Sequence, residues 1–178
     1  KKKKIYTKQA SLPTSSLPYS GSSQNLQYIT SGSENIAQFW YRLEMSPSDT
    51  ITDGKHLTWF TLSGSAEDVG YLSASSAQVI QSNQMTSFIS NKYAQPSLAG
   101  NKSEDSTPGY NVTIRKGSDN TDGNSARVDD TAFVFDYKTG VLQFIDTTAA
   151  PNAQASPGNN RIFFSGYQYQ GQTLDQFV

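Results

Sequence analysis

One stretch, VDDTAFVFDYKTGVLQFID at Val128–Asp146, constrains the fold more than any other part of the chain. Its two apolar runs alternate large and smaller or polar side chains, which is the period-two pattern of a half-buried strand. The segment Lys138-Thr139-Gly140 between the runs favours a short turn in which glycine takes a positive φ. We therefore predict an antiparallel hairpin with strands over 131–136 and 141–145.

This hairpin supplies core candidates, since side chains at every second position of a strand share a face. Phe135 and Phe144, or alternatively Phe133 and Leu142, are expected to be buried, because a slip of one residue in register exchanges the two faces. Each buried side chain of this size contributes roughly 1.5–3 kcal/mol. We expect the hairpin to be a central pair of a sandwich.

Further strand patterns lie on both sides of the hairpin. YNVTIRKG predicts a strand over 110–116, and RIFFSGYQY predicts one over 161–169. HLTWFTLSG at His56–Gly64 alternates in the same way. IAQFWYRLEMS at Ile36–Ser46 fits a helical period as well, and its aromatic content favours a strand. The predicted fold class is all-β, an antiparallel β-sandwich or jelly-roll-like domain.

The first 23 residues differ in composition from the rest of the chain. They hold a lysine-rich start and the loose repeat SLPTSSLP, whose prolines at 13 and 18 disfavour a helix. We predict an extended N-terminal arm over 1–23 and the sandwich domain over 24–178. A linker or tail and a basic nucleic-acid contact are the alternatives for the arm. If the arm docks on a neighbouring subunit, its large apolar side chains are the contact residues: Ile5, Tyr6, Leu12, Leu17 and Tyr19.

Charge and composition exclude several classes of function. The net charge is −1, and five of the 14 basic residues lie in the first eight positions, so the chain lacks the basic surface of a nucleic-acid-binding protein. No segment approaches the roughly 18 apolar residues of a membrane-spanning helix. With one histidine and no cysteine, a catalytic triad or zinc site lacks most of its parts. We predict no catalytic residue, no metal and no cofactor.

Two weaker patterns leave alternatives open. The acidic stretch around Asn120, Asp122 and Asp129 loosely matches a calcium-binding loop or a pair of glycosidase carboxylates, although turn-forming Asx chemistry explains it as well. Two tyrosines near the C-terminus, Tyr167 and Tyr169, could form an aromatic platform for sugars together with Trp59. We expect half of these three aromatic residues to lie in the core.

The C-terminal third resembles virion structural proteins of tailed double-stranded-DNA phages and large aquatic viruses. The shared pattern spans 108–174: a GY-x-V strand, an FDY-x-x-G-V-L-x-F hairpin, a variable loop and a closing I-x-x-x-G-Y-x-Y-x-G strand. Phe133 stands where that pattern has tryptophan. The matching residues are Gly109, Tyr110, Val112, Phe133, Phe135, Asp136, Tyr137, Gly140, Val141, Leu142, Phe144, Ile162, Gly166, Tyr167, Tyr169 and Gly171.

The resemblance implies a non-enzymatic subunit of the virion, such as a minor capsid, tail or fibre component. Its expected partners are other virion proteins and further copies of the same chain, with no nucleic acid and no membrane. The alternative is a carbohydrate- or receptor-binding β-sandwich module that contacts a host glycan from a virus particle or cell surface. An enzyme that hydrolyses glycans with the aspartate cluster is a third hypothesis.

Overall fold

The computed structural model describes residues 12–13, 17, 27–48, 50–62, 84–151 and 158–171. These residues contain no α-helix, and their short 3₁₀ turns lie at Asn91–Tyr93, Pro96–Leu98 and Asp130–Ala132. The strands of the described residues are β1 (Gln27–Ser31), β2 (Glu34–Glu44), β3 (Ser46–Pro47), β4 (Ile51–Thr52), β5 (Lys55–His56), β6 (Thr58–Phe60), β7 (Thr113–Gly117), β8 (Ser125–Arg127), β9 (Phe133–Asp136), β10 (Val141–Phe144) and β11 (Arg161–Tyr169).

The strands form antiparallel sheets, which confirms the predicted all-β class. A five-stranded sheet has the order β1-β2-β11-β7-β8, and a four-stranded sheet has the order β3-β6-β10-β9. β4 and β5 form a separate two-stranded ribbon. Asp53 and Gly54 join the ribbon with φ of 50° and 73°, the left-handed pair that a two-residue hairpin turn requires.

The predicted hairpin is present as β9 and β10. Val141 pairs with Asp136 and Phe144 with Phe133, and Gly140 in the turn has a φ of 72°. Both candidate pairs of core residues are buried, with Leu142 fully inaccessible to solvent. The expected central position is wrong, because β9 is the last strand of the four-stranded sheet.

Two predicted strands begin later than expected, because local hydrogen bonds compete with the sheet. Asn111 bonds through its backbone to residues 101 and 103, so β7 starts only at Thr113. Asp129 accepts a hydrogen bond from the backbone N–H of Thr131 at 2.8 Å, which holds Asp130–Ala132 in a 3₁₀ turn ahead of β9.

The chain divides into two compact units, and β2 and β11 contribute residues to both. The first unit comprises the described residues within Lys1–Tyr41, Phe88–Val112 and Ser165–Val178. Its core is an aromatic and aliphatic cluster in which the Tyr167 ring lies 4.8 Å from that of Phe39 and 5.4 Å from that of Tyr110. The predicted boundary between an arm and a domain at residue 23 stays a prediction.

The second unit comprises Arg42–Ser87 and Thr113–Phe164, again for the described residues within those bounds. It contains the whole four-stranded sheet together with β7 and β8. Phe135 of β9 stacks on Phe164 of β11 with ring centroids 5.1 Å apart. The residues of the candidate functional site all belong to this unit.

Candidate functional site

The structure describes two of the five predicted arm contacts. Leu12 is buried in the core cluster of the first unit, and Leu17 packs against that cluster. The Tyr110 hydroxyl donates to the Pro13 carbonyl oxygen at 2.7 Å, which anchors the same segment. Leu12 is therefore covered by its own chain.

The remaining arm contacts, Ile5, Tyr6 and Tyr19, lie outside the described residues. Docking of the arm on a neighbouring subunit stays a prediction.

The predicted aromatic platform is not a surface. Trp59, Tyr167 and Tyr169 are 2%, 0% and 5% exposed, so all three belong to the core rather than half of them. The Trp59 indole N–H donates to the backbone carbonyl of His56 at 3.1 Å. His56 is itself buried beside the Trp59 ring.

The acidic stretch forms a compact loop between β7 and β8. One Asp119 carboxylate oxygen accepts from the backbone N–H of Thr121 at 2.8 Å and from its hydroxyl at 2.6 Å. The other accepts from the side-chain amide of Asn124 at 2.7 Å. These bonds, with the one from Thr121 foremost, lower the pKa of Asp119. The Asx-turn explanation therefore accounts for this carboxylate.

Three arginines hold the same loop. We call Arg42, Arg115 and Arg161, together with the loop 118–125, the arginine clamp. Arg42 donates to the Asn120 carbonyl oxygen at 2.6 Å and to the Asp122 carboxylate at 2.5 Å. Arg115 lies 3.5 Å from the same carboxylate. Its Nε donates to the Ser125 hydroxyl at 2.9 Å. Hydrogen bonding and charge from Arg42, followed by the charge of Arg115, lower the pKa of Asp122.

Arg161 completes the clamp from β11. It donates to the Ser118 carbonyl oxygen at 2.7 Å, and its Nε lies 2.9 Å from one carboxylate oxygen of Glu44. The hydrogen bond to Glu44 raises the pKa of Arg161. The three arginines thus contact two carboxylates, those of Glu44 and Asp122, and the charge of Arg161 also lowers the pKa of Asp119.

Arg42 takes an uncommon backbone conformation to reach the loop. Its φ is 47°, in the left-handed region that residues other than glycine rarely adopt, although Arg42 lies inside β2. Such strain costs of order 1–3 kcal/mol and persists where the surroundings enforce it. The bonds of Arg42 to the loop supply that enforcement.

The clamped loop forms one wall of a groove of about 670 Å³. Strand β7 contributes Lys116 and Gly117 to the lining of the groove, and Val128 lines it directly after β8. Two further lining residues, Ala149 and Asn159, lie in the segments before β11. The volume lies within the range of small-molecule sites. The remaining lining residues are Ser118, Gly123, Asn124, Ser125, Ala126, Arg127, Asp129 and Ala132.

The groove carries more positive than negative charge. Lys116 and Arg127 line it against the single carboxylate of Asp129, which already accepts two hydrogen bonds from Thr131. Burial, followed by repulsion from Lys55, lowers the pKa of Lys116. Among the described residues, the side chains of Lys55 and Lys116 have no hydrogen bond and no ion pair, whereas the charge of Arg127 acts on Asp122.

A second surface feature is the outer face of the β9–β10 hairpin, which we call the hairpin face. Val134 and Ile145 are 61% and 60% exposed, and both line a depression of about 540 Å³ with Val141 and Gln143. Aliphatic side chains of this size contribute to binding only when they are covered. The hairpin face therefore presents two uncovered aliphatic side chains beside this depression.

Neither a cluster of potential metal ligands nor a membrane-spanning helix occurs in the described part of the chain. Its histidine and acidic residues form no group of three that could hold a metal ion. Nor does any helix within these residues have the length and apolar character needed to cross a membrane.

No protein-family model, no curated protein and no solved structure matches this chain. Its function must therefore be inferred from the residues and the geometry of the site.

Neither the clamp nor the groove was predicted from sequence. Arg42 and Arg115 fall in strand patterns, where an arginine is ordinarily a solvent-facing residue, and both are buried. The available signal was the number of arginines: the chain is otherwise poor in charge, and all four of its arginines lie in strands.

Proposed function

We propose that this chain is a non-enzymatic structural subunit of a virus particle and acts through contacts with neighbouring subunits. The hairpin face carries the proposal, because Val134 and Ile145 put two large aliphatic side chains on one exposed surface. A second copy of the chain is the proposed occupant, in keeping with the closed symmetry of most assemblies. The resemblance over residues 108–174 supports the virion as the setting for such a subunit.

The proposed architecture is a β-sandwich within the second unit. The four-stranded sheet would form one layer, and β7, β8 and the start of β11 the other. The stacked rings of Phe135 and Phe164 support this arrangement, since they join strands of the two sheets. A jelly-roll order of connections is the finer form of the same proposal.

Sedimentation velocity of the full chain over a range of concentrations tests the contact. We expect self-association that Val134→Lys and Ile145→Lys each weaken at least tenfold, because a charge would replace the buried aliphatic contact. Ile51→Lys is the matched control, since Ile51 is an exposed aliphatic residue of β4, outside the hairpin. A chain that stays monomeric at every concentration, or an equal effect of all three variants, would contradict the proposed contact.

Membership of a particle needs a separate measurement. We expect mass spectrometry of purified virus particles to detect this chain in a fixed ratio to a major structural protein. A chain without residues 1–11, which keeps the buried Leu12, is expected to stay folded and to be missing from the particles, if the arm docks on a neighbour. Normal incorporation of the truncated chain would remove the arm from the proposal and leave the hairpin face as its basis.

A further inference from the structure

We propose that the groove beside the arginine clamp binds an acidic saccharide, with Lys116 and Arg127 contacting its carboxylate or sulfate group. The side-chain amide of Asn159 and the Ser118 hydroxyl would contact the sugar hydroxyls. This inference goes beyond assembly of a particle and does not depend on it, because it concerns a single copy of the chain.

The charge of the groove is the first step of the argument. Lys116 keeps a half-buried ammonium group close to Lys55, an arrangement that weakens the fold rather than stabilising it. No described carboxylate pairs with either lysine. An anion in the groove would offset both the burial and the repulsion, so the unbalanced charge is explained by a bound anion.

The rigidity of the groove wall is the second step. Backbone or side-chain atoms of Ser118, Asn120, Asp122 and Ser125 are each held by an arginine of the clamp. A wall that is ordered before binding loses little conformational entropy when a ligand arrives. The clamp therefore preorganises one side of the site.

The chemistry of the lining selects the ligand class. Among the described residues no aromatic ring lines the groove, which disfavours an apolar ligand or a flat base that needs stacking. The positive charge is local in a chain of net charge −1, so an extended polyanion such as nucleic acid is not matched. Hydroxyl and amide side chains beside two cations suit a small anion that also carries hydroxyl groups.

Isothermal titration calorimetry on the full chain tests the proposal with four probes. They are a sulfated tetrasaccharide from heparin, a tetramer of galacturonic acid, neutral maltotetraose and inorganic sulfate. We expect one of the two acidic saccharides to bind at least tenfold more tightly than both maltotetraose and sulfate. Which of the two prevails identifies the anionic group. Equal binding of neutral and acidic saccharides, equally tight binding of sulfate alone, or no binding of any probe would overturn the proposal.

Variants locate the binding to the groove. Lys116→Gln is expected to weaken binding of the acidic saccharide at least tenfold, while the midpoint of thermal unfolding stays unchanged or rises. Lys138→Gln removes an exposed lysine in the hairpin turn and should leave the affinity unchanged. Ala126→Glu adds a carboxylate at an exposed lining position and should weaken binding without removing a cation. Full affinity in folded Lys116→Gln and Ala126→Glu proteins would place the binding elsewhere and refute the assignment.

Discussion

Replacement of Arg161 by methionine should destabilise the protein far more than replacement of its partner Glu44 by glutamine. The Glu44 side chain is 9% exposed and the Arg161 side chain 30%, so the carboxylate is the more deeply buried member of the pair. Methionine keeps most of the aliphatic stem of arginine and removes the charge. It would leave Glu44 buried without its cation and the Ser118 carbonyl without a donor.

The loss in free energy of unfolding depends on which charge the substitution leaves unpaired. Breaking a buried pair so that one charge stays buried costs about 3–5 kcal/mol, which in a chain of this size lowers Tm by roughly 6–20 °C. Glu44→Gln should cost only about 1–2 kcal/mol, because its amide oxygen still accepts from Arg161 and the guanidinium retains solvent. The double variant should be more stable than the sum of the single losses implies, by about 1–3 kcal/mol.

Equilibrium unfolding in urea measures all four proteins of this cycle. Circular dichroism and tryptophan fluorescence should be recorded together, because Trp40 belongs to the first unit and Trp59 to the second. Coincident transitions justify a single free energy of unfolding. If Arg161→Met costs no more than Glu44→Gln, or if the two losses simply add, Arg161 and Glu44 are not a coupled buried pair.

Three further results are expected, each from a different part of the second unit. Gly117→Ala should lower stability by about 1–3 kcal/mol in urea unfolding and disturb the clamped loop, because the new Cβ would collide with backbone atoms of that loop. Leu142→Ala should cost about 2–5 kcal/mol as a fully buried residue, whereas the exposed Val134→Ala should cost under about 0.5 kcal/mol in the same assay. The pKa values of Asp119 and Asp122 are lowered in the folded protein, so their contribution to stability is present above the unfolded-state pKa and is lost as pH falls. Tm measured against pH should therefore decline below about pH 4, and less steeply in Asp122→Asn; an unchanged slope in that variant would contradict the pairing.

The hairpin was predictable from sequence because every relevant signal is local. Alternation marks the two strands, Gly140 marks the turn, and the phenylalanines mark the buried face. The position of β9 at the end of its sheet was not predictable in the same way. It depends on which strand pairs with the other side of β10, and β6 comes from a segment more than 80 residues earlier in the chain.

The clamp and groove were beyond sequence analysis for a related reason. Arg42, Arg115 and Arg161 lie on three strands, and only their arrangement in the five-stranded sheet directs them to one loop. The aromatic platform failed because alternation cannot distinguish a strand with one covered face from a strand covered on both. β11 belongs to the second kind, since Ile162 to Tyr167 are all buried.

The clamp and the groove use charge in opposite ways, although they share a loop. In the clamp every arginine meets a carboxylate, and the pKa shifts of Asp119, Asp122 and Arg161 all favour the charged forms. Those charges therefore stabilise the fold. The charge of Lys116 is disfavoured by burial and by Lys55, so the same explanation does not apply to it. A residue that weakens a fold and lies in a groove is best explained by a ligand whose negative charge reverses the balance.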